Sequence, residues 1–186
     1  SLSITTTMKK ILTALLLLPL LGITQTIENI DYISPFHNNL AAIKKGNEWA
    51  FINKEGEVVI DFRDDLTSTK TDDASYPVFY NDRSLFQQEK DGVIYYGYLD
   101  LLGKTVIKPQ FLNATNFKKE YALALKVEKE TIGYNDVFKK DVVSYHYFEV
   151  VIDKEGKTID HLTKLAIHIS PKDKKDSLHH LFLLML

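Results

Sequence analysis

The chain has 186 residues, of which 45% are hydrophobic, 26% charged and 11% aromatic. That is about one domain's length, and the balance excludes both wholesale disorder and a multi-span membrane protein. The formal net charge of −2 leaves no surplus of basic side chains to neutralise phosphates, so nucleic acid is not an expected partner, and the lack of cysteine removes disulfides, thiolate metal sites and thiol nucleophiles together.

The first Met is Met8, followed by Lys9 and Lys10 and then by an apolar stretch over residues 11–23, broken only by Thr13, Pro19 and Gly22. A basic start, a short apolar run and a polar exit at Thr24-Gln25-Thr26 predict a secretory signal helix, with residues 1–7 upstream of the true start. The run falls short of the roughly 20 apolar residues that span a bilayer, so the segment is expected to engage the membrane only during export. An uncleaved N-terminal anchor is the alternative. Export removes two lysines and no acid, which leaves the body more acidic than the whole chain.

A repeat organises the remainder. Asn53-Lys54-Glu55-Gly56, Asp100-Leu101-Leu102-Gly103 and Asp153-Lys154-Glu155-Gly156 share one form, with glycines about 50 residues apart. Each follows an aliphatic residue (Ile52, Leu99, Ile152) and leads to a β-branched one (Val59, Val106, Ile159). Asn or Asp at the first position can accept backbone N–H groups two residues on, and glycine at the fourth supplies a left-handed conformation, so each tetrad predicts a hairpin tip.

Taken in chain order, Leu40-Ala41-Ala42-Ile43-Lys44 reads as a strand, Lys45-Gly46-Asn47-Glu48 as a turn and Trp49-Ala50-Phe51-Ile52 as the returning strand. Leu85-Phe86-Gln87-Gln88 leads to Lys90-Asp91-Gly92, a strong hairpin signal, and Tyr95-Tyr96-Gly97-Tyr98-Leu99 returns. The third copy opens with Phe117, whose spacing to Ala122 repeats that of Phe36 to Ala41, and an insertion around Gly133-Tyr134-Asn135-Asp136 lengthens its hairpin. No sustained helical period appears between Ile27 and Ile169. The expectation is an all-β fold of three tandem units of short antiparallel strands sharing a core. Residues 1–26 form the leader, 27–169 the repeat domain and 170–186 a charged linker with an apolar tail.

Those residues resemble the WG-repeat family, in which a Trp-Gly pair precedes Phe-Ile-Asp/Asn-Lys-x-Gly-Lys-Val-Val-Ile-x-Pro. The first copy matches with Trp49-Ala50-Phe51-Ile52-Asn53-Lys54, the second with Tyr96-Gly97-Tyr98-Leu99-Asp100 and the exit Ile107-Lys108-Pro109-Gln110-Phe111, the third with Ile152-Asp153-Lys154-Glu155-Gly156-Lys157. No copy holds a literal Trp-Gly; Glu149-Val150 stands there in the third. The resemblance implies a β-rich repeat array, commonly exported or surface-associated in bacteria, and implies no enzyme activity.

Trp49 and Tyr96 occupy the same repeat position, and both read first as core aromatics. They are also the weak candidates for lining a groove that takes sugar or peptide. The histidines His37, His146, His161, His168, His179 and His180 lack the spacing of a zinc-protease helix, so no metal is expected. Asp61, Asp64, Asp65, Asp72 and Asp73 lack the alternation of a calcium loop and read as a solvated linker. Asp100 and Asp153 could suggest a carboxylate pair, but they sit on equivalent hairpin tips one repeat apart. No phosphate loop, dinucleotide fingerprint or nucleophile elbow occurs, and no cofactor is expected. The apolar end of the tail, from Leu178 to Leu186, could dock on the last unit, cap an edge strand or begin a longer sequence.

The reading is an exported, non-catalytic repeat protein, secreted or in the periplasm or cell envelope, that binds a protein or polysaccharide there. The alternatives are a hydrolase of envelope polysaccharide and a structural accessory array without a ligand of its own.

Overall fold

The computed structural model describes residues 27–163 and Leu165; the leader expected over residues 1–26 and the tail over 170–186 lie outside the described residues. Among the described residues there is no helix, and the chain runs as antiparallel strands. Strands β1 (Tyr32–Ile33), β2 (Ala41–Lys45), β3 (Glu48–Ile52) and β4 (Val58–Arg63) form a four-stranded sheet in chain order. Strands β5 (Thr69–Lys70) and β6 (Ser75–Tyr76) make a separate small hairpin. Strands β7 (Ser84–Lys90), β8 (Val93–Leu99), β9 (Thr105–Ala114), β10 (Ala122–Asn135), β11 (Lys140–Ile152) and β12 (Thr158–His161) follow as a six-stranded meander, again in chain order.

The three units superimpose in register. Ala41 faces Ile52, Ser84 faces Leu99 and Ala122 faces Ile152 across the first hairpin of each unit. Across the second, Phe51 faces Ile60, Tyr98 faces Ile107 and Val151 faces Asp160, and the ladder shifts immediately after each of these pairs. The shift arises from the tetrad turns. Asn53 Oδ1 accepts the N–H groups of Glu55 and Glu57, Asp100 Oδ1 those of Leu102 and Lys104, and Asp153 Oδ1 those of Glu155 and Lys157, all at 2.8–3.1 Å. Gly56, Gly103 and Gly156 have φ of 81°, 77° and 82°, a backbone conformation that a Cβ makes costly. The glycine-tipped bends are therefore equivalent corners.

A second recurring turn opens each unit. Asn38 and Asn39 have φ of 49° and 64°, and Asn81 and Asp82 have the same values, the doubly left-handed pattern of a tight hairpin turn that Asn and Asp tolerate best. His37 and Leu40 exchange both backbone hydrogen bonds across the first of these turns, as do Tyr80 and Arg83 across the second and Lys118 and Tyr121 across the third. The opening phenylalanine, seen in the sequence as Phe36 and Phe117, thus has a middle counterpart in Phe79.

The insertion lengthens the third unit's hairpin, as its sequence predicts: β10 has 14 residues and β11 has 13, longer than the strands of the first two units. One expectation needs correction. The acidic segment between the first two units is not simply a solvated linker. Asp61 lies in β4, Asp65 pairs with Arg63, and Asp72 and Asp73 cap the β5–β6 hairpin. Arg63 consequently has a pKa above its usual value, chiefly through the hydrogen bond to Asp65.

The core lies between units rather than within them. One cluster joins Trp49, Phe51 and Ile60 of the first unit to Phe79, Phe86 and Leu99 of the second. The other joins Tyr98, Ile107 and Phe111 of the second to Phe117, Ala124 and Ile152 of the third. A three-stranded unit has one apolar face too many for its size, and stacking the next unit on it removes that face from water.

Candidate functional site

Trp49 is 9% exposed. The edge-on ring of Tyr32 stands 6.0 Å away and Lys44 Nζ lies 5.6 Å from the indole centroid. Both neighbours come from the first unit's own sheet, Tyr32 from β1, which pairs with β2, and Lys44 from β2, which pairs with β3. A cleft of about 340 Å³ opens beside it, lined by Asp31, Tyr32, Lys44, Trp49, Ala74 and Ser75. The Asp31 carboxylate is already engaged, accepting the Gly46 N–H at 2.6 Å. Tyr96 is half-buried on β8 and packs against the second core cluster, away from that cleft. The two sequence candidates therefore occupy equivalent places in successive units without converging on one site.

The glycine that follows Tyr96 has a definite steric duty. A Cβ on Gly97 would overlap the Ile107 carbonyl oxygen and stand 2.8 Å from the Pro109 nitrogen. Strand β9 crosses the middle strand there with a register shift, so glycine is needed for close approach of two backbones. In the third unit Val150 pairs regularly with His161, and a bulky residue fits.

The other candidates are absorbed by structure. Each Oδ1 of Asp100 and Asp153 accepts two backbone N–H groups of its own turn, which accounts for both carboxylates without catalysis. His37 lies 3.4 Å from the Tyr76 hydroxyl, His146 lies 3.1 Å from Glu130, and His161 stands edge-on to Phe148. The remaining three histidines are outside the described residues. Among the described residues no group of three or more His, Asp or Glu could hold a metal ion.

What the sequence reading missed is that the lengthened third hairpin stands out as an exposed two-stranded ribbon. Strand β10 pairs with β9 only through Lys126, and β12 pairs with β11 only from Val150 on. Among the described residues, the paired segments 127–135 and 140–148 between those limits carry no further strand on either side. Cross-strand register divides the ribbon into two faces. Val127, Lys129, Thr131, Val143, Tyr145 and Tyr147 share one face; Lys126, Glu128, Glu130, Ser144, His146 and Phe148 share the other. On the charged face Lys126 Nζ lies 2.8 Å from Glu128, holding that carboxyl below its usual pKa. Towards the tip Ile132, Tyr134, Val137 and Phe138 are 57–85% exposed. The apolar content of residues 132–145 was legible in the sequence; its exposure follows only from the lack of neighbouring strands.

A family model described as WG containing repeat matches residues 27–49, 49–63 and 96–128. The first two matches cover β1 to β4; the third runs from Tyr96-Gly97 through the Asp100 turn and across the unit boundary into β10. No curated protein and no solved structure matches the chain.

Proposed function

The chain is a WG-repeat protein, and from that premise we propose that it is an exported binding module of the bacterial cell envelope, acting without catalysis on a protein or polysaccharide there. The observation that carries the binding reading is the β10–β11 ribbon. Its tip exposes Ile132, Tyr134, Val137 and Phe138 together, a concentration of apolar surface that soluble chains seldom leave without a partner. Its unpaired strand edges offer main-chain donors and acceptors to an extended segment. Export rests on Met8-Lys9-Lys10 and the apolar run over residues 11–23. Trp49 and its cleft are a secondary contact, since little of the indole face is accessible.

The test is co-sedimentation of the purified chain with isolated envelope fractions. Wild type should be retained, and the triple change Y134S/V137S/F138S should release it without lowering the melting temperature. Retention unchanged by those substitutions removes the ribbon from the reading. No retention of the wild type removes the binding reading itself.

A further inference from the structure

Each internal boundary of the array is built from the same two contacts. The aromatic two residues before a tetrad packs on the opening phenylalanine of the next unit: Phe51 on Phe79 with centroids 4.7 Å apart, Tyr98 on Phe117 at 4.8 Å. The isoleucine facing that aromatic lies under the next unit's turn glycine. A Cβ on Gly103 would come within 3.1 Å of Ile60, and one on Gly156 within 2.8 Å of Ile107. So each internal boundary joins a knob face, aromatic plus isoleucine, to a socket face, opening phenylalanine plus turn glycine.

Among the described residues the socket of the first unit is complete and unfilled. Phe36 is 46% exposed, whereas Phe79 and Phe117 are 1% and 2%. Among the described residues a Cβ on Gly56 would meet nothing within 4 Å, although its turn matches the other two in φ and hydrogen bonding. Ile52 is half-buried, while its equivalents Leu99 and Ile152 are fully buried. At the end of the array the knob is missing. Val151 replaces the aromatic, and Asp160, exposed, replaces the isoleucine.

We propose that the Phe36–Gly56 face is a docking socket for the terminal face of another β-repeat array, one that presents an aromatic and an isoleucine in the register of Phe51 and Ile60. The partner is not a second copy of this chain. A copy would bring Asp160 against Gly56, in a contact that both internal boundaries make with an aliphatic side chain, and would bury an unpaired carboxylate. Both internal boundaries state what the socket accepts, and Asp160 states what it refuses. This surface is distinct from the ribbon and stands whether or not the ribbon binds.

The chain itself supplies the probe. The double change V151F/D160I gives the last unit the missing knob. Wild type should sediment as a monomer. The double variant should associate head to tail, with its average mass at least doubling as concentration rises, because each added copy brings a socket and a knob of its own, giving a ring or an open filament. Adding F36D should return it to monomer while leaving its circular dichroism and melting temperature unchanged. A folded double variant that stays monomeric overturns the proposal, as does association that survives F36D. Wild-type self-association abolished by F36D overturns the choice of partner. If the double variant does not fold, D160I alone, at an exposed position, is put through the same measurements with the same criteria.

Discussion

Tyr98 of the second unit and Thr115, at the opening of the third, are joined by a hydrogen bond of 2.7 Å, the phenol donating to the backbone carbonyl. Tyr98 is wholly buried, and burial alone pushes its phenol pKa far above the ordinary value. The neutral form is therefore the one the fold accepts. A folded pKa raised above the unfolded one gives stability that is full below the unfolded value, about pH 10, and is lost as the pH rises beyond it. Stability should thus fall steeply in alkali above about pH 10. Tyr98→Phe should remove that alkaline loss while costing about 1 kcal/mol at neutral pH for the missing hydrogen bond. Chemical denaturation of both proteins at pH 7 and pH 11 checks it; equal alkaline sensitivity would assign the loss to other groups.

The three opening phenylalanines should separate by position in the array. Phe79 and Phe117 fill the space beneath Phe51 and Tyr98 and are almost fully buried. Truncation of either to alanine leaves a cavity and should cost about 3–5 kcal/mol. Phe36, half-exposed in the first unit, should lose well under about 1 kcal/mol in the same change, within the range of surface substitutions. Urea unfolding of F36A, F79A and F117A gives the order directly.

The boundaries explain what was and was not legible in the sequence. The tetrad turns were readable because Asn or Asp at the first position and glycine at the fourth each have a local reason, and all three formed alike. The third hairpin's length was readable from its insertion. That the units share a core was readable as well; which residues meet there was not, because Phe79 and Phe117 are recognised as partners of Phe51 and Tyr98 only once the units stack. The second unit's opening was obscured by the β5–β6 hairpin, which separates Thr67 from Leu85. Their backbone hydrogen bond repeats those of Ser34 with Ala42 and Thr115 with Leu123, which lie much closer in sequence. For the site, Trp49 and Tyr96 were found by their shared repeat position, but burial decides their use, and burial is a tertiary property.

Alanine at the turn glycines should expose the docking contacts one by one. All three have positive φ, so each substitution carries a left-handed backbone cost of about 1 kcal/mol or more. Gly56 has open space where the Cβ would go, Gly103 would press on Ile60, and Gly156 would press harder on Ile107. Crowding a packed boundary adds about 1–3 kcal/mol. The expected order of destabilisation is G56A, then G103A, then G156A, read from thermal or urea midpoints. Equal losses in all three would mean that the turns do not bear on the units before them.

Ser84 offers a change in the opposite direction. It is fully buried at the head of β7, and its hydroxyl has no hydrogen-bond partner. The residues at the same register position in the first and third units are Ala41 and Ala122, paired to Ile52 and Ile152 as Ser84 is to Leu99. The backbone there is already shown to suit alanine twice, so Ser84→Ala removes an unsatisfied polar atom without altering the strand. Desolvating a hydroxyl with no compensating bond costs about 1–3 kcal/mol in proteins. Part of that should be recovered, raising stability by about 1 kcal/mol, whereas Ser84→Val at the same site should lower it by overfilling the boundary. A urea midpoint for S84A at or below that of the wild type would show that the hydroxyl is hydrogen-bonded in solution after all, through a water or a rotated side chain.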